Sequence, residues 1–135
     1  MTRRWPLWLL RVVLTAAVIQ FADQAVLAGQ FLGGTYSSLQ GHRDNATGAG
    51  LTILAAVVPA VLVRWPGRGP WWPIAACLGL FALTGAQIAV GFARILPLHL
   101  PLGVAIIGLT AWLTIWSWRY RPAAVLAPVP AEAAA

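Results

Sequence analysis

Four apolar segments, each about as long as a membrane-spanning helix, dominate the sequence. They run from about Leu7 to Leu32, Ala46 to Val63, Trp71 to Phe92 and His99 to Trp118. A helix needs about 20 apolar residues to cross the hydrocarbon core of a bilayer. Because lipid offers the backbone no hydrogen bonds, only helices and closed barrels span it, and the alternating pattern of a barrel is absent here. The sequence therefore predicts an all-α integral membrane protein, an up-down bundle of four helices.

The composition points to the same class. Of 135 residues, 60% are hydrophobic and only 9% are charged, whereas soluble domains average about 25% charged residues. The net charge of +6 comes from arginines at the ends of the apolar segments, so a lipid bilayer is the expected partner and a nucleic acid is not. Residues 1–121 are predicted to form the four-helix domain, and the Ala- and Pro-rich residues 122–135 are predicted to be disordered.

The arginines also predict the orientation in the membrane. Only Arg43 and Arg94 lie on one side of the predicted helices, and the other seven arginines lie on the opposite side with most of the tryptophans. Basic residues are enriched in cytoplasmic loops, and tryptophans are enriched at membrane interfaces. Arginine without lysine, together with abundant Ala, Gly and Pro, is typical of a GC-rich bacterial coding sequence. We therefore expect a multi-pass protein of the bacterial plasma membrane with both termini in the cytoplasm.

The chain also repeats itself weakly. The repeated pattern is a glutamine and a glycine near the outer end of a helix, then an outer connection, then a histidine. It occurs first as Gln24, Gly29 and His42, and again as Gln87, Gly91 and His99. This pattern predicts two pseudo-repeated helical hairpins.

The two histidines of the chain are the main candidates for chemistry. His42 lies 22 residues before Arg64, and His99 lies 20 residues before Arg119, which corresponds to about 33 Å and about 30 Å of helix. Both should lie near the outer membrane face, and the second and fourth helices of an up-down bundle lie diagonally across its core. Two facing imidazoles predict bis-histidine ligation of a haem, with His42 and His99 as metal ligands.

Residues around the histidines extend this hypothesis. Ala46, Ala49, Gly50 and Gly103 would leave flat surfaces for the porphyrin, although small residues also pack membrane helices without any ligand. Arg43 and Arg94, on the outer side, are candidates to pair with the haem propionates.

Polar residues in the first and third helices form a second feature. Gln20, Asp23, Gln24 and Gln30 follow helical spacing and are predicted to share one face, and Thr84, Gln87 and Arg94 do the same. Asp23, Gln24 and Gln87 are candidate partners of the histidines. An intramembrane carboxylate is expected to face the bundle interior or a water-filled cavity. Three further roles of Asp23 stay open: a proton relay, an ion pair with Arg43 or Arg94, and interhelical packing.

The segments around both histidines resemble a known family. Gly-His-Arg-Asp-Asn-Ala-Thr-Gly from 41 to 48 and Leu-His-Leu-Pro-Leu-Gly from 98 to 103 resemble the two histidine segments of one four-helix half of haem A synthases. The chain is also similar to small four-span actinobacterial membrane proteins of unknown function. Where haem A synthases carry a glutamate, this sequence has Leu39, and their pair of outer cysteines is missing, since Cys77 is the single cysteine. The resemblance implies a redox bundle that binds haem b.

Three functions stay open at this level. The first is a haem b protein with an electron-transfer or haem A synthase-like role, with a quinone or another redox protein as its partner. The second is a non-catalytic accessory or assembly subunit of a larger membrane complex, as a homo- or hetero-oligomer. The third is a small four-span transporter that uses Asp23. The residues leave open whether the protein is an enzyme.

Overall fold

A computed structural model describes residues 4–122, and within this range the chain forms four α-helices. They are α1 (Trp5–Leu32), α2 (Ser38–Arg64), α3 (Trp72–Phe92) and α4 (Leu96–Arg119). Each is long and apolar enough to cross a bilayer. The all-α, four-span prediction is confirmed to this extent. The predicted disorder of the C-terminal tail concerns residues that lie, apart from Pro122, outside the described range.

Each helix packs against two others. α1 and α3 both contact α2 and α4, so α2 and α4 lie on opposite sides of the core. The connections between the helices are short, and hydrogen bonds from Ser38 to Gln30 and from Asn45 to Gln20 pair α1 and α2 in antiparallel register. This arrangement brings residues near the start of α2 close to residues near the start of α4.

The core is apolar and closely packed, and the outside is apolar as well. Leu10, Leu14 and Ile53 are fully buried, and buried alanines along α1 and α2 let these helices approach closely. On the outside, Ile19 is 62% exposed and Val104 is 71% exposed. Large apolar side chains cover so much of the outer surface that lipid is its natural solvent.

α2 begins earlier than the hydropathy of the sequence predicts. The apolar segment starts at about Ala46, but the helix starts at Ser38, so the expected start was wrong by eight residues. The additional two turns are polar. Gln40 donates a hydrogen bond of 2.8 Å to Asp44 within the helix, and Ser38 and Asn45 donate hydrogen bonds to α1. His42 is therefore a helical residue and not a loop residue.

The bundle has two chemically different ends. We call the end that carries Arg4, Arg64, Arg68, Arg119 and Arg121 the arginine-rich end, and the opposite end, which carries both histidines, the histidine end.

Arg11 joins α1 to α4 near the arginine-rich end. Its Nε donates to the carbonyl of Ser117 (2.9 Å) and its Nη2 to that of Tyr120 (3.1 Å). The guanidinium also lies over the rings of Trp8 and Trp118, 5.0 Å and 5.3 Å from their centres. The last carbonyls of a helix have no partners inside that helix, so Arg11 satisfies the end of α4 and closes the bundle between its first and last helices.

Candidate functional site

The imidazoles of His42 and His99 face each other across the bundle. His42 lies in the second turn of α2 and His99 in the first turn of α4. Their ring centres are 6.2 Å apart, and the planes of the rings are tilted by 58°. The residues that the sequence singled out as a pair thus meet in space.

Each histidine is hydrogen-bonded to the helix that precedes its own. His42 Nδ1 lies 3.2 Å from the carbonyl oxygen of Gln24 in α1, and His99 Nδ1 lies 3.1 Å from the carbonyl oxygen of Gln87 in α3. Because a carbonyl oxygen can only accept, both bonds require the proton on Nδ1. Among residues 4–122, neither Nε2 has a hydrogen bond. Metal-binding histidines use the same arrangement, in which one nitrogen is oriented by a carbonyl and the other is left for the metal.

The ring of His99 is held tightly against α3. Gln87 Nε2 donates a hydrogen bond of 2.8 Å to the carbonyl oxygen of His99, so two reciprocal bonds join the two residues. The ring lies on Gly91, where a Cβ would come within 2.8 Å of His99 Cε1. At Gly103, a Cβ would come within 2.9 Å of Gln87 Nε2. A side chain at Gly91 would therefore meet the ring of His99, and one at Gly103 would meet the amide of Gln87 that bonds the carbonyl of His99.

The surroundings of His42 use different residues for a similar purpose. Asn45 Nδ2 donates to the carbonyl oxygen of Gln20 (2.8 Å) and to Gln24 Oε1 (3.0 Å). Asn45 was not predicted as a site residue, although its position three residues after His42 places it on the same face of the helix. Gly29, the predicted counterpart of Gly91, meets nothing within 4 Å. The two hairpins thus share the bond from histidine to carbonyl but not the glycine contact.

Two glutamine oxygens near the histidines are buried without a donor. Within the described part of the chain, these are Gln20 Oε1 and Gln87 Oε1. A buried acceptor that lacks a hydrogen bond costs about 1–3 kcal/mol. Both oxygens are therefore positions where a water molecule or a hydroxyl group of a ligand would be stabilised.

Arg43 and Arg94 lie close to one corner of the histidine end. Both are exposed, and the guanidinium of Arg43 lies 5.6 Å from the ring centre of Phe92, two residues before Arg94 in the chain. Arg94 adopts a left-handed backbone conformation (φ 58°) in the turn between α3 and α4. The two arginines remain candidates to bind an anionic group that projects from the histidine end.

The small residues that follow His42 are largely used for helix packing. Ala49 and Gly50 are buried, and a Cβ at Gly50 would lie 3.5 Å from Thr84 Cγ2 of α3. Ala46 is only partly buried. The free surface near His42 is therefore smaller than the sequence suggested.

Asp23 faces away from the histidines. Gln20 and Gln24 are partly buried and contact α2, whereas Asp23 is exposed. Asp23 follows the buried Phe21 by two residues, a rotation of about 200° around the helix, so it lies on the outer face of α1. Among the polar residues of α1 that were predicted to share one face, Asp23 is thus the exposed member, while Gln20 and Gln24 contact α2. Its role as a partner of the histidines stays a prediction without a contact in the described residues.

The two imidazoles are the metal donors that the bundle brings together. Within residues 4–122, no group of three or more His, Cys, Asp or Glu side chains could hold a metal ion. Cys77 is fully buried in α3, in agreement with a role in packing. A metal at the histidines would thus need its remaining ligands from a cofactor, and the four nitrogens of a porphyrin meet this need.

Comparison with known proteins adds no relative to this picture. No protein-family model, curated protein or solved structure matches the chain. The function is therefore argued from the geometry around His42 and His99.

Proposed function

We propose that this chain is a membrane protein that binds haem b between His42 and His99 and transfers electrons near the histidine end. The observation that carries the proposal is the pair of opposed imidazoles, with ring centres 6.2 Å apart and each Nδ1 bonded to a backbone carbonyl. Two helices contribute one ligand each, as expected for a cofactor site in the core of a helical bundle.

The separation of the two imidazoles supports axial ligation of a haem. A metal held between two imidazoles by bonds of about 2 Å requires ring centres roughly 6 Å apart, and the separation of His42 and His99 is 6.2 Å. The bonds to Gln24 and Gln87 leave both Nε2 atoms as the nitrogens available for ligation. Arg43 and Arg94 would pair with the propionates, because both are exposed at the same end of the bundle.

The role of the protein residues would be to orient the ligands and to set the surrounding polarity. When bound, haem b supplies reversible one-electron transfer. Gln87 and Gly91 fix the ring of His99, and the contact from Asn45 to Gln24 supports the helix that orients His42. The donor-free oxygens of Gln20 and Gln87 suit a partner with hydroxyl donors, and a quinol has this chemistry.

We also propose an up-down bundle in a bacterial plasma membrane with both termini in the cytoplasm. The excess of arginines at one end supports this orientation. A reporter that is active only in the cytoplasm should be active when fused after residue 121 and inactive when inserted at Thr35, between α1 and α2. The reverse pattern would contradict the orientation without affecting the haem proposal.

The haem proposal is tested by the visible spectrum of the protein purified from cells supplied with haem. We expect a Soret band that is lost in both His42→Ala and His99→Ala and retained in Gln40→Ala, a matched change at an exposed position of α2. Added imidazole should restore the band in the alanine variants if they are folded. A wild-type protein without a Soret band, or variants with an unchanged band, would overturn the proposal.

A second candidate function is favoured by the exposure of Asp23. A carboxylate on the lipid-facing side of a helix is costly unless another group pairs with it, and a subunit of a larger membrane complex would supply that group. In this case, a larger membrane protein should co-purify with the wild type at fixed stoichiometry. The co-purification should be lost in Asp23→Leu but retained in Asp44→Leu. Equal co-purification with both variants, or none with the wild type, would exclude this use of Asp23.

A further inference from the structure

A second feature, in the half of the bundle nearer the arginine-rich end, is not explained by the histidine site. An apolar groove of about 160 Å³ lies between α3 and α4. Its walls are Ala76, Gly79 and Leu83 on α3 and Leu109 and Trp112 on α4. From residue 76 to residue 83 the groove follows about 10 Å of helix, and Trp112, at 57% exposure, borders it on the outside.

One wall residue of the groove on α3 is a glycine that faces open space. A Cβ at Gly79 would meet nothing within 4 Å, and Gly79 is exposed. The floor consists of the buried leucines Leu80 and Leu113. A dry channel with apolar walls that opens sideways toward lipid suits a chain of methylene groups.

Aromatic side chains close the groove toward the arginine-rich end. The rings of Trp72 and Trp112 lie 5.4 Å apart across the gap between α3 and α4. Trp72 also packs edge-on against Trp116 at 4.4 Å, and Trp116 stacks on Tyr120 at 5.0 Å. Tryptophan and tyrosine are typical of the membrane interface, where one side of the ring is apolar and the other is wet. This series of rings thus leads from the groove to the headgroup level.

The charge next to the rings, toward the end of α4, is positive, and no acidic residue that the structure describes lies beside it. Arg119 follows Trp112 by seven residues, close to two turns, so the two share a face of α4 about 10 Å apart along the axis. Arg119 is exposed. The two acidic residues that the structure describes, Asp23 and Asp44, belong to the other half of the bundle.

The start of α3 adds to this positive potential. Its first turn has neither a side-chain cap nor an acidic residue, so the positive end of the helix dipole is uncompensated. Arg68, in the connection just before α3, is exposed as well. The helix dipole and Arg68 together favour an anionic group nearby, although Pro73 offers no N–H and the N–H of Ile74 is bonded to the carbonyl of Trp71.

We propose that the groove between α3 and α4 binds one anionic phospholipid, with an acyl chain along Gly79 and the phosphate near Arg119 and the start of α3. The apolar groove, the interfacial rings and the exposed arginines succeed one another in the order of acyl chain, glycerol level and phosphate. Basic sites between membrane helices are known to bind anionic headgroups. The site is independent of the haem proposal, because none of the residues that line the groove belongs to the histidine site.

The test is lipid retention by the purified full-length protein in detergent, measured by native mass spectrometry. Phosphatidylglycerol and phosphatidylcholine with identical acyl chains are added separately. We expect one phosphatidylglycerol to be retained more strongly than phosphatidylcholine. Arg119→Gln should weaken its binding about fivefold, which corresponds to about 1 kcal/mol for one basic residue at an anionic surface, and Arg119→Lys should retain most of the affinity.

The groove is tested by filling it. Gly79→Leu should abolish retention of this lipid, whereas Gly85→Leu, at another exposed α3 glycine that meets nothing within 4 Å, should have no effect. Equal retention of both lipids by the wild type, or retention unchanged in Gly79→Leu, would overturn the proposal. The proposal would also be overturned if Gly79→Leu removed a co-purifying protein or quinone but left the phosphatidylglycerol bound.

A second measurement leaves Gly79 and the leucines of the groove floor unchanged. Phosphatidylglycerol with brominated acyl chains should quench tryptophan fluorescence, and Trp112→Phe should reduce the quenched fraction more than Trp5→Phe does. Trp5 is similarly exposed, at 49%, but lies on α1. Equal effects of the two substitutions would contradict an acyl chain in this groove.

Discussion

The ring of His99 lies directly on the backbone of Gly91. At Gly91, a Cβ would come within 2.8 Å of His99 Cε1 and 3.1 Å of Nδ1. The same Nδ1 is hydrogen-bonded to the carbonyl oxygen of Gln87, 3.1 Å away. A single methyl group on α3 would therefore compete with the contact that orients this histidine, and this makes Gly91 the most sensitive position next to the site.

Gly91→Ala should displace His99 and destabilise the bundle. Overpacking of this kind costs about 1–3 kcal/mol, and any bound haem should show a changed Soret position or a reduced content. The free energy of unfolding in mixed micelles and the visible spectrum measure the two effects. Gly85→Ala is the matched control, because its Cβ meets nothing within 4 Å. Equal stability and equal spectra of the two variants would show that His99 is not held by Gly91.

Asn45→Ala should weaken the packing of α1 on α2. The substitution removes the bonds to the Gln20 carbonyl and to Gln24 Oε1, and polar contacts between membrane helices contribute about 0.6 kcal/mol each, at most about 1.7 kcal/mol. We expect a loss of about 1–2 kcal/mol in the same unfolding assay. Thr47→Ala, which removes only a bond within α2 to the carbonyl of Arg43, should change little. If Thr47→Ala lowered the free energy of unfolding as much as Asn45→Ala, the hydrogen bonds of Asn45 to α1 would not be the cause of the loss.

Arg11→Met should open the contact between α1 and the end of α4. It removes the charged donor to the carbonyls of Ser117 and Tyr120, and hydrogen bonds to charged groups contribute about 1.5–3 kcal/mol. The thermal unfolding midpoint in detergent should fall clearly. Arg11→Lys should restore only part of the loss, because an ammonium lacks the fork of donors of a guanidinium. If Arg11→Met unfolds at the same temperature as Arg4→Met, the contact does not stabilise the bundle.

Cys77 should be protected from thiol reagents in the folded protein. Its side chain is fully buried, so a membrane-permeant maleimide should label the folded protein poorly and should add one label per chain after denaturation in SDS. A Cys77→Ala, Thr35→Cys variant should label when folded, because Thr35 is exposed between α1 and α2. Rapid labelling of Cys77 in the folded protein would contradict its buried position in α3.

The sequence by itself predicts the four helices and the similar depth of the two histidines on diagonally placed helices. Four apolar segments with polar connections leave no other secondary structure that satisfies the backbone in lipid. The numbers of residues from His42 to Arg64 and from His99 to Arg119 are similar, so the two histidines lie at similar depths. Short connections place consecutive helices side by side, so the second and fourth helices lie opposite each other across the core. None of these inferences requires knowledge of which face of a helix is buried.

Only the tertiary structure decides whether an individual side chain points into the bundle or toward lipid. Asp23 turns outward, while Asn45, which stood out less in the sequence, turns inward to bond α1. The physical reason is that lipid is as apolar as the core, so the two sides of a membrane helix are not distinguished by hydrophobicity. The rotation of each helix depends instead on close packing and on polar contacts with its neighbours, such as those of Gly91 and Gln87 with His99. These contacts join residues far apart in the sequence, and no pattern within one helix reveals them.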